Sequence, residues 1–240
     1  ELIVVDSQND SSKELSNVED LLQKGVSALI INPVDSDAAK SSVIKANSEE
    51  VPVITVDRQA NGGEVKTHIA SDNIKGGEMA AEYIKEKLGG AGIIAELQGT
   101  PGASATRDRG TGFHNIVDAD NNLNVVSSQP ADFDRQKGLT VTENMIEYNH
   151  NIQAIFAHND EMALGAVKAL NSGGLKDCIV VGFDGGEDAI NAVDSGELSA
   201  TIAQQPDLMG GMAVESAKKI NEGESVEKEI SAELKLYTGK

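Results

Sequence analysis

Four apolar runs in this chain end in polar clusters. VITV runs into Asp57, Arg58 and Gln59, IFA into His158, Asn159 and Asp160, IVVGF into Asp184, and ATIA into Gln204 and Gln205. Carboxylates, amides and guanidinium groups exchange hydrogen bonds with hydroxyls, and the charged ones do so most strongly. Asp57 and Arg58, adjacent at a strand tip, suit two neighbouring hydroxyls or form a surface ion pair. The segment PGASATRDRGTGF leads from a Gly-rich turn into a helix carrying Arg107 and Arg109. A glycine loop before a helix suits phosphate, but this one matches neither G-x-G-x-x-G nor a P-loop. Phe133 lies between two acids in ADFDR, as a helix-start staple or as an apolar platform at a cleft edge. In HNDEMALG, Asn159 or Asp160 caps a helix while the other is left for a ligand. Phe183 and Asp184 share one strand tip, and Gln204 stands just before a helix beginning near Pro206.

Catalytic signatures are missing from this pattern. The sequence has no nucleophile elbow, no His-x-x-x-His pair and no two-cysteine site. His68, His114, His150 and His158 are scattered and read as structural or solvated. The expectation is a binding protein and not an enzyme, with no cofactor and no metal.

The elements that must hold these residues alternate. Strand-like runs fall near 2–5, 27–31, 52–56, 92–97, 123–128, 153–156, 178–182 and 199–203. Helical patterns fall at 13–24, 36–47, 73–88, 103–118, 134–148, 159–172, 186–194 and 206–222. Such alternation predicts the α/β class, with doubly wound parallel sheets covered by helices and joined by right-handed crossovers. A parallel sheet gathers the carboxyl ends of its strands on one edge, where small ligands bind, and the polar clusters follow those ends.

Composition narrows the partners. The 240 residues suffice for two domains with real cores. A net charge of -19 opposes nucleic-acid phosphates and anionic lipid, so no nucleic acid is expected. The single Cys178 excludes an intrachain disulfide and reads as a buried structural thiol. No run approaches the roughly 18 apolar residues of a spanning helix, and ELIVVDSQ lacks the pattern of a signal peptide.

Taken together, VPVITVDRQ, HIASDN, LQGTPGASATRDRGTGF, QPADFDRQKG, QAIFAHNDEMALGAVKAL, VVGFDG and ATIAQQPD resemble the type I periplasmic sugar-binding protein family, in its ribose-binding branch of Gram-positive type. The resemblance runs over essentially the whole chain. It implies two similar α/β lobes, 1–71 plus 205–233 and 72–204 plus 234–240, hinged near Ser71-Asp72, Gln204-Gln205 and Glu233-Leu234. It also implies that D-ribose is enclosed by Asp57, Arg58, Arg109, Asn159, Asp184 and Gln204, with Phe133 and Phe183 as aromatic walls. Further implied are the membrane permease of an ABC-type sugar importer as partner, a chemotaxis receptor as a second one, and an extracytoplasmic place in the periplasm or lipid-anchored at the cell surface. The alternative is the effector-binding core of a lactose-repressor-type transcription regulator. An enzyme acting on a phosphorylated sugar would need a base or phosphate clamp that the sequence does not display.

ELIVVDSQND corresponds to the second strand of that family, so the family's first strand and helix, about 35 to 40 positions that also supply an Asn and two aromatic residues to the sugar, have no counterpart in this alignment of motifs. A missing central strand would leave its neighbours about 10 Å apart. The expectation is a first lobe completed by another piece or copy, with possible self-association, or shifted in register, or partly disordered.

Overall fold

The computed structural model describes residues 1–239. In chain order its elements are α1 (Ser11–Gln23), β1 (Leu29–Ile31), α2 (Ala39–Ser48), β2 (Val53–Val56), β3 (Val65–Ser71), α3 (Asn73–Lys87), β4 (Gly92–Gln98), α4 (Ser104–Val117) and β5 (Leu123–Pro130). There follow α5 (Arg135–Tyr148), β6 (Ala154–Ala157), α6 (Asp160–Ser172), β7 (Ile179–Asp184), α7 (Glu187–Ser195), β8 (Ala200–Ala203), α8 (Pro206–Asn221), β9 (Glu229–Ala232) and β10 (Lys235–Tyr237). The chain divides into two compact units. One comprises Glu1–Ser71, Gly102–Ser104 and Gln205–Ala232, and the other Asp72–Pro101, Ala105–Gln204 and Glu233–Lys240. Gly102–Ser104 lies outside the ranges expected for the first lobe. It joins that unit because Ser36 N donates to Gly102 O and Gln59 N donates to Ser104 Oγ.

The first unit is built on a parallel sheet ordered β1-β2-β3-β9. Val18, Leu22, Val43 and Val53 pack on one of its faces, and Ile54, Ile69, Met209 and Ala213 on the other, so helices α1 and α2 cover one side and α8 the opposite one. Asp10 caps α1 by accepting from Ser12 N and Lys13 N. This unit corrects two expectations. Residues 2–5 form no strand, and Leu2, Ile3, Val4 and Val5 are exposed, at 68%, 41%, 80% and 44%. An apolar run becomes a strand only when a neighbour takes its backbone N–H and C=O groups, and among the described residues β1 is paired with β2 alone. Conversely β3 and β9 were not anticipated, because β9 (EISA) is short and charged and its partner β3 lies about 160 residues upstream in sequence.

The second unit carries the sheet β10-β8-β7-β6-β4-β5, parallel except for β10, which runs antiparallel to β8. Its two faces are separate cores. Met145, Ile155, Met162 and Leu170 fill one beneath α5 and α6, and Ile84, Phe113, Phe156 and Val181 fill the other beneath α3 and α4. Each buried aromatic or large aliphatic side chain contributes about 1.5–3 kcal/mol. Glycine sets how closely the helices approach. A Cβ at Gly77 would lie 2.1 Å from Arg109 O, and one at Gly112 would lie 1.9 Å from Ile74 O. Backbone contact between α3 and α4 therefore requires these two residues. Strand order reverses between β4 and β6, the place where parallel sheets open a crevice at their carboxyl ends. Cys178 immediately precedes β7, where burial pushes its thiol up to about 12. Among the described residues no helix is long and apolar enough to cross a membrane.

Candidate functional site

In the first unit, β2 ends at Val56 and the chain turns at once, with Arg58 N donating to Val56 O at 2.7 Å. Asp57 takes φ +64°, held there by its N–H donating to Ile69 O at 2.8 Å. Asn32, just beyond β1, donates from Nδ2 to Asp57 Oδ2 at 3.3 Å, and Arg58 Nε stands 3.7 Å from the same oxygen. Arg58 also donates to Pro33 O at 3.4 Å. Both side chains are half-buried at the strand tip.

In the second unit, the carboxyl ends of β5, β6, β7 and β8 and one face of α4 carry six candidates. Arg109, 3% exposed, donates from Nε to Asn73 Oδ1 at 2.8 Å and from a terminal nitrogen to His158 O. The same nitrogen lies 3.5 Å from Asp184 Oδ1, and the guanidinium lies 3.7 Å from the centre of the Phe183 ring. Gln204 Nε2 donates to the same Asp184 oxygen at 2.8 Å, while Gln204 Oε1 is buried without a hydrogen-bond partner among the described residues. A buried acceptor of this kind calls for a donor such as a hydroxyl. Asn159 caps α6 by accepting from Met162 N at 3.0 Å, and its Nδ2 donates to Phe133 O at 3.3 Å. Of the two capping candidates in this loop, Asn159 therefore caps and Asp160 faces elsewhere.

The two phenylalanines differ. Phe133 is half-buried, at φ +60°, and a Cβ at Gly99 would fall 2.1 Å from its ring. Phe183 is fully buried, with Arg109 over one face and Gly76 against its edge. Phe183 is thus a platform for the arginine, stabilised by cation–π attraction. Of the seven non-glycine residues with positive φ among the described residues, Asp57, Phe133 and Asp184 are candidates. Strained backbone clusters where a fold holds side chains for a ligand, at roughly 1–3 kcal/mol each.

Sequence reasoning missed the groups behind this cluster. Glu96, on β4 and fully buried, accepts from His158 Nε2 at 2.9 Å and from Gln98 Nε2 at 3.0 Å, with His114 Nε2 at 3.3 Å. Gly99 N donates to His158 Nδ1 at 3.4 Å, which leaves the ring proton on Nε2 and the imidazole neutral. Burial lowers the His158 pKa and outweighs the pull of Glu96. Burial also works against ionisation of Glu96, but hydrogen bonds from His158 and Ser128 hold that carboxyl well below the usual range. The one sequence signal was a glutamate inside the apolar run IIAELQ. Asn73 sat in the quoted HIASDN without being singled out. Elsewhere in this unit a cavity of about 490 Å³, lined by His114, Asp118, Asp120 and Asn124 among others, involves none of the eight candidates.

Residues 1–225 match the family model described as a periplasmic binding protein domain. The chain belongs to the periplasmic binding proteins. Among the curated members, it is 59% identical over 239 residues to the ribose import binding protein RbsB of Bacillus subtilis (strain 168), covering 100% of this chain and 77% of that one. An ABC transporter solute-binding protein from Bacillus halodurans C-125, solved with myo-inositol, superposes with a TM-score of 0.94 at 33% identity, covering 99% of this chain and 83% of the other. The binding protein of the arabinose ABC transporter from Shewanella sp. ANA-3 gives 0.93 at 34% identity, covering 98% and 80%. These periplasmic binding proteins are transport receptors, and the repressor-core alternative is not favoured. Their family implies an extracytoplasmic setting.

Proposed function

We propose that this protein is a receptor for D-ribose that encloses the sugar with Asp57 and Arg58 from one unit and Arg109, Phe133, Asn159, Asp184 and Gln204 from the other. The reading is carried by the joined Arg109, Asp184 and Gln204, whose buried Oε1 awaits a hydroxyl, in a chain 59% identical to a ribose import binding protein. Acids and amides accept from sugar hydroxyls, the guanidinium groups donate to them, and Phe133 supplies an apolar face for C–H edges. Contacts from both units would favour a closed, ligand-enclosing form, because a ligand that binds open and closed forms equally shifts nothing. The closed form is delivered to the membrane permease of an ABC importer and read by a chemotaxis receptor. The proposed location is the periplasm or, lipid-anchored, the cell surface.

Calorimetric titration with D-ribose should give saturable heat, and glucose, galactose and ribose 5-phosphate should give none. The phosphate ester is rejected because its charge would face Asp57 and Asp184. Equal heat from all four sugars, or from none, overturns the proposal.

Self-association through the first unit belongs to the same proposal. It is supported by the exposed apolar run at 2–5 and by β1, which has a strand on one side only among the described residues. An open strand edge templates further pairing. Sedimentation over a concentration series should reveal species heavier than the monomer, and a single monomer mass throughout would remove this part.

A further inference from the structure

We propose that Asp160 is a positioning residue for the sugar site, whose carboxylate tethers 184–186 so that Asp184 is presented to the ligand and whose ionisation sets how tightly that ligand is held. The inference rests on the receptor reading above. Asp160 opens α6 and is 5% exposed. Its Oδ2 accepts from Gly186 N at 2.8 Å and its Oδ1 from Thr201 Oγ at 2.6 Å, and Thr201 Oγ in turn accepts from Gly185 N at 3.3 Å. Two consecutive peptide N–H groups are thus tied, directly or through one hydroxyl, to a single carboxylate.

The tether acts where the backbone is under strain. Asp184 holds φ +123°, outside the range side chains adopt readily, and Gly185 follows at +76°. Gly182 leaves room for the carboxylate, since a Cβ there would come within 2.4 Å of Asp160 Oδ1. The opposite side of the strained residue carries the Asp184 carboxylate that meets Arg109 and Gln204. Releasing 185 and 186 lets Asp184 relax and misplaces that oxygen.

The proton count explains the sensitivity. With both oxygens accepting, an acid proton on Asp160 either displaces the Gly186 donor or reverses the Thr201 bond so that the hydroxyl, already accepting from Gly185 N, accepts from the acid; either change weakens the hold on 185 and 186, so the ionised form is the one that grips. Burial opposes this charge, the nearby Asp184 adds repulsion, and together they push the carboxyl up to about 7 against the hydrogen bonds from Thr201, Gly186 and Gly185. From β7 the facing charged group is Asp184, from β8 the facing group is the neutral Thr201, and on α6 itself Glu161 is exposed and paired with Arg135, which also holds Asp188 of α7. Affinity should therefore fall as the pH drops below about 7. Stability should move the other way. The folded pKa lies above the ordinary value of 3.8, so the folded protein binds more protons across that window and its stability declines as the pH rises from there to about 7.

The test is ribose calorimetry and thermal melting of the full chain at about pH 5.5 and about pH 8.5, for the wild type, Asp160→Asn and Thr201→Val. The wild type should bind roughly tenfold more weakly at the lower pH while melting higher there. Asp160→Asn should bind about tenfold more weakly at the upper pH, lose the pH dependence of affinity and show a smaller change in melting than the wild type, the remainder coming from His114. Thr201→Val, which removes one donor to the anion, should move the midpoint upward and guards against a misfolded Asp160→Asn. Wild-type affinity and pH profile in both variants overturn the tether. Failure of the wild type to bind ribose at either pH sinks the receptor reading instead, and the tether is then judged on melting alone: an unchanged profile in both variants rejects it.

Discussion

Replacing Arg109 with alanine is expected to weaken ribose binding by about 2–4 kcal/mol, roughly 30- to 1,000-fold. The side chain is 3% exposed and serves three acceptors at once: Asn73 Oδ1, His158 O and Asp184 Oδ1. Truncation takes this donor from the buried Asn73 and His158 acceptors, takes a cation from the part-exposed Asp184, and removes the cover from Phe183. Lysine at this position should not restore affinity, because a compact ammonium cannot span the three acceptors while lying flat on the ring. Asp184→Ala, which removes the other half of the pair, should fall in the same range. The check is calorimetry on variants whose melting shows that they fold. Unchanged affinity in both would sink the site assignment.

Truncating Glu96 to alanine should destabilise the second unit by about 1–3 kcal/mol, the cost of leaving buried donors without their acceptor. His158 Nε2, Gln98 Nε2 and His114 Nε2 all converge on this carboxylate, and it is fully buried. Through His158, whose carbonyl receives Arg109, the loss also loosens the guanidinium, so weaker ribose binding should accompany the fall in stability. The pH dependence has a definite sign. The folded pKa of Glu96 lies below the ordinary value of 4.5, so its contribution is present above that value and is lost as the pH falls through the folded pKa. His114 differs: burial lowers its pKa, but Asp118 and Glu96 outweigh it and raise it, so its contribution disappears as the pH climbs. Urea unfolding near neutral pH measures the main effect. A loss below about 1 kcal/mol for Glu96→Ala would mean that water reaches this network in place of the carboxylate.

Much of the α/β pattern was readable because local signals carry it. Apolar runs, capping residues such as Asp10, Asp134 and Asn159, and glycines after helices mark where elements start and stop without reference to distant chain. The loops at Asp57, Asn159, Asp184 and Gln204 were legible for the same reason, since each directly follows a strand-forming run. The expected strand at 2–5 failed although its residues have high strand propensity, because a ladder needs a partner that propensity cannot supply. β3 and β9 formed despite weak local signals, because each supplies the other's hydrogen bonds.

The side chains behind the candidate site followed the same division. Residue types at the strand tips announced chemistry suited to hydroxyls, since acids, amides and arginines carry that capacity wherever they stand. Which of them meet depended on packing. Arg109 reaches Asn73, His158 and Asp184, residues 36, 49 and 75 positions away, only after α3, α4, β6 and β7 are assembled. Phe183 was drawn under the guanidinium. Asp160 and Glu96 acquired shifted acidities because burial and partners from other strands act on them. Composition and order along the chain specify propensity and capacity, whereas hydrogen-bond partners, desolvation and strain arise between residues that only the folded backbone brings into contact.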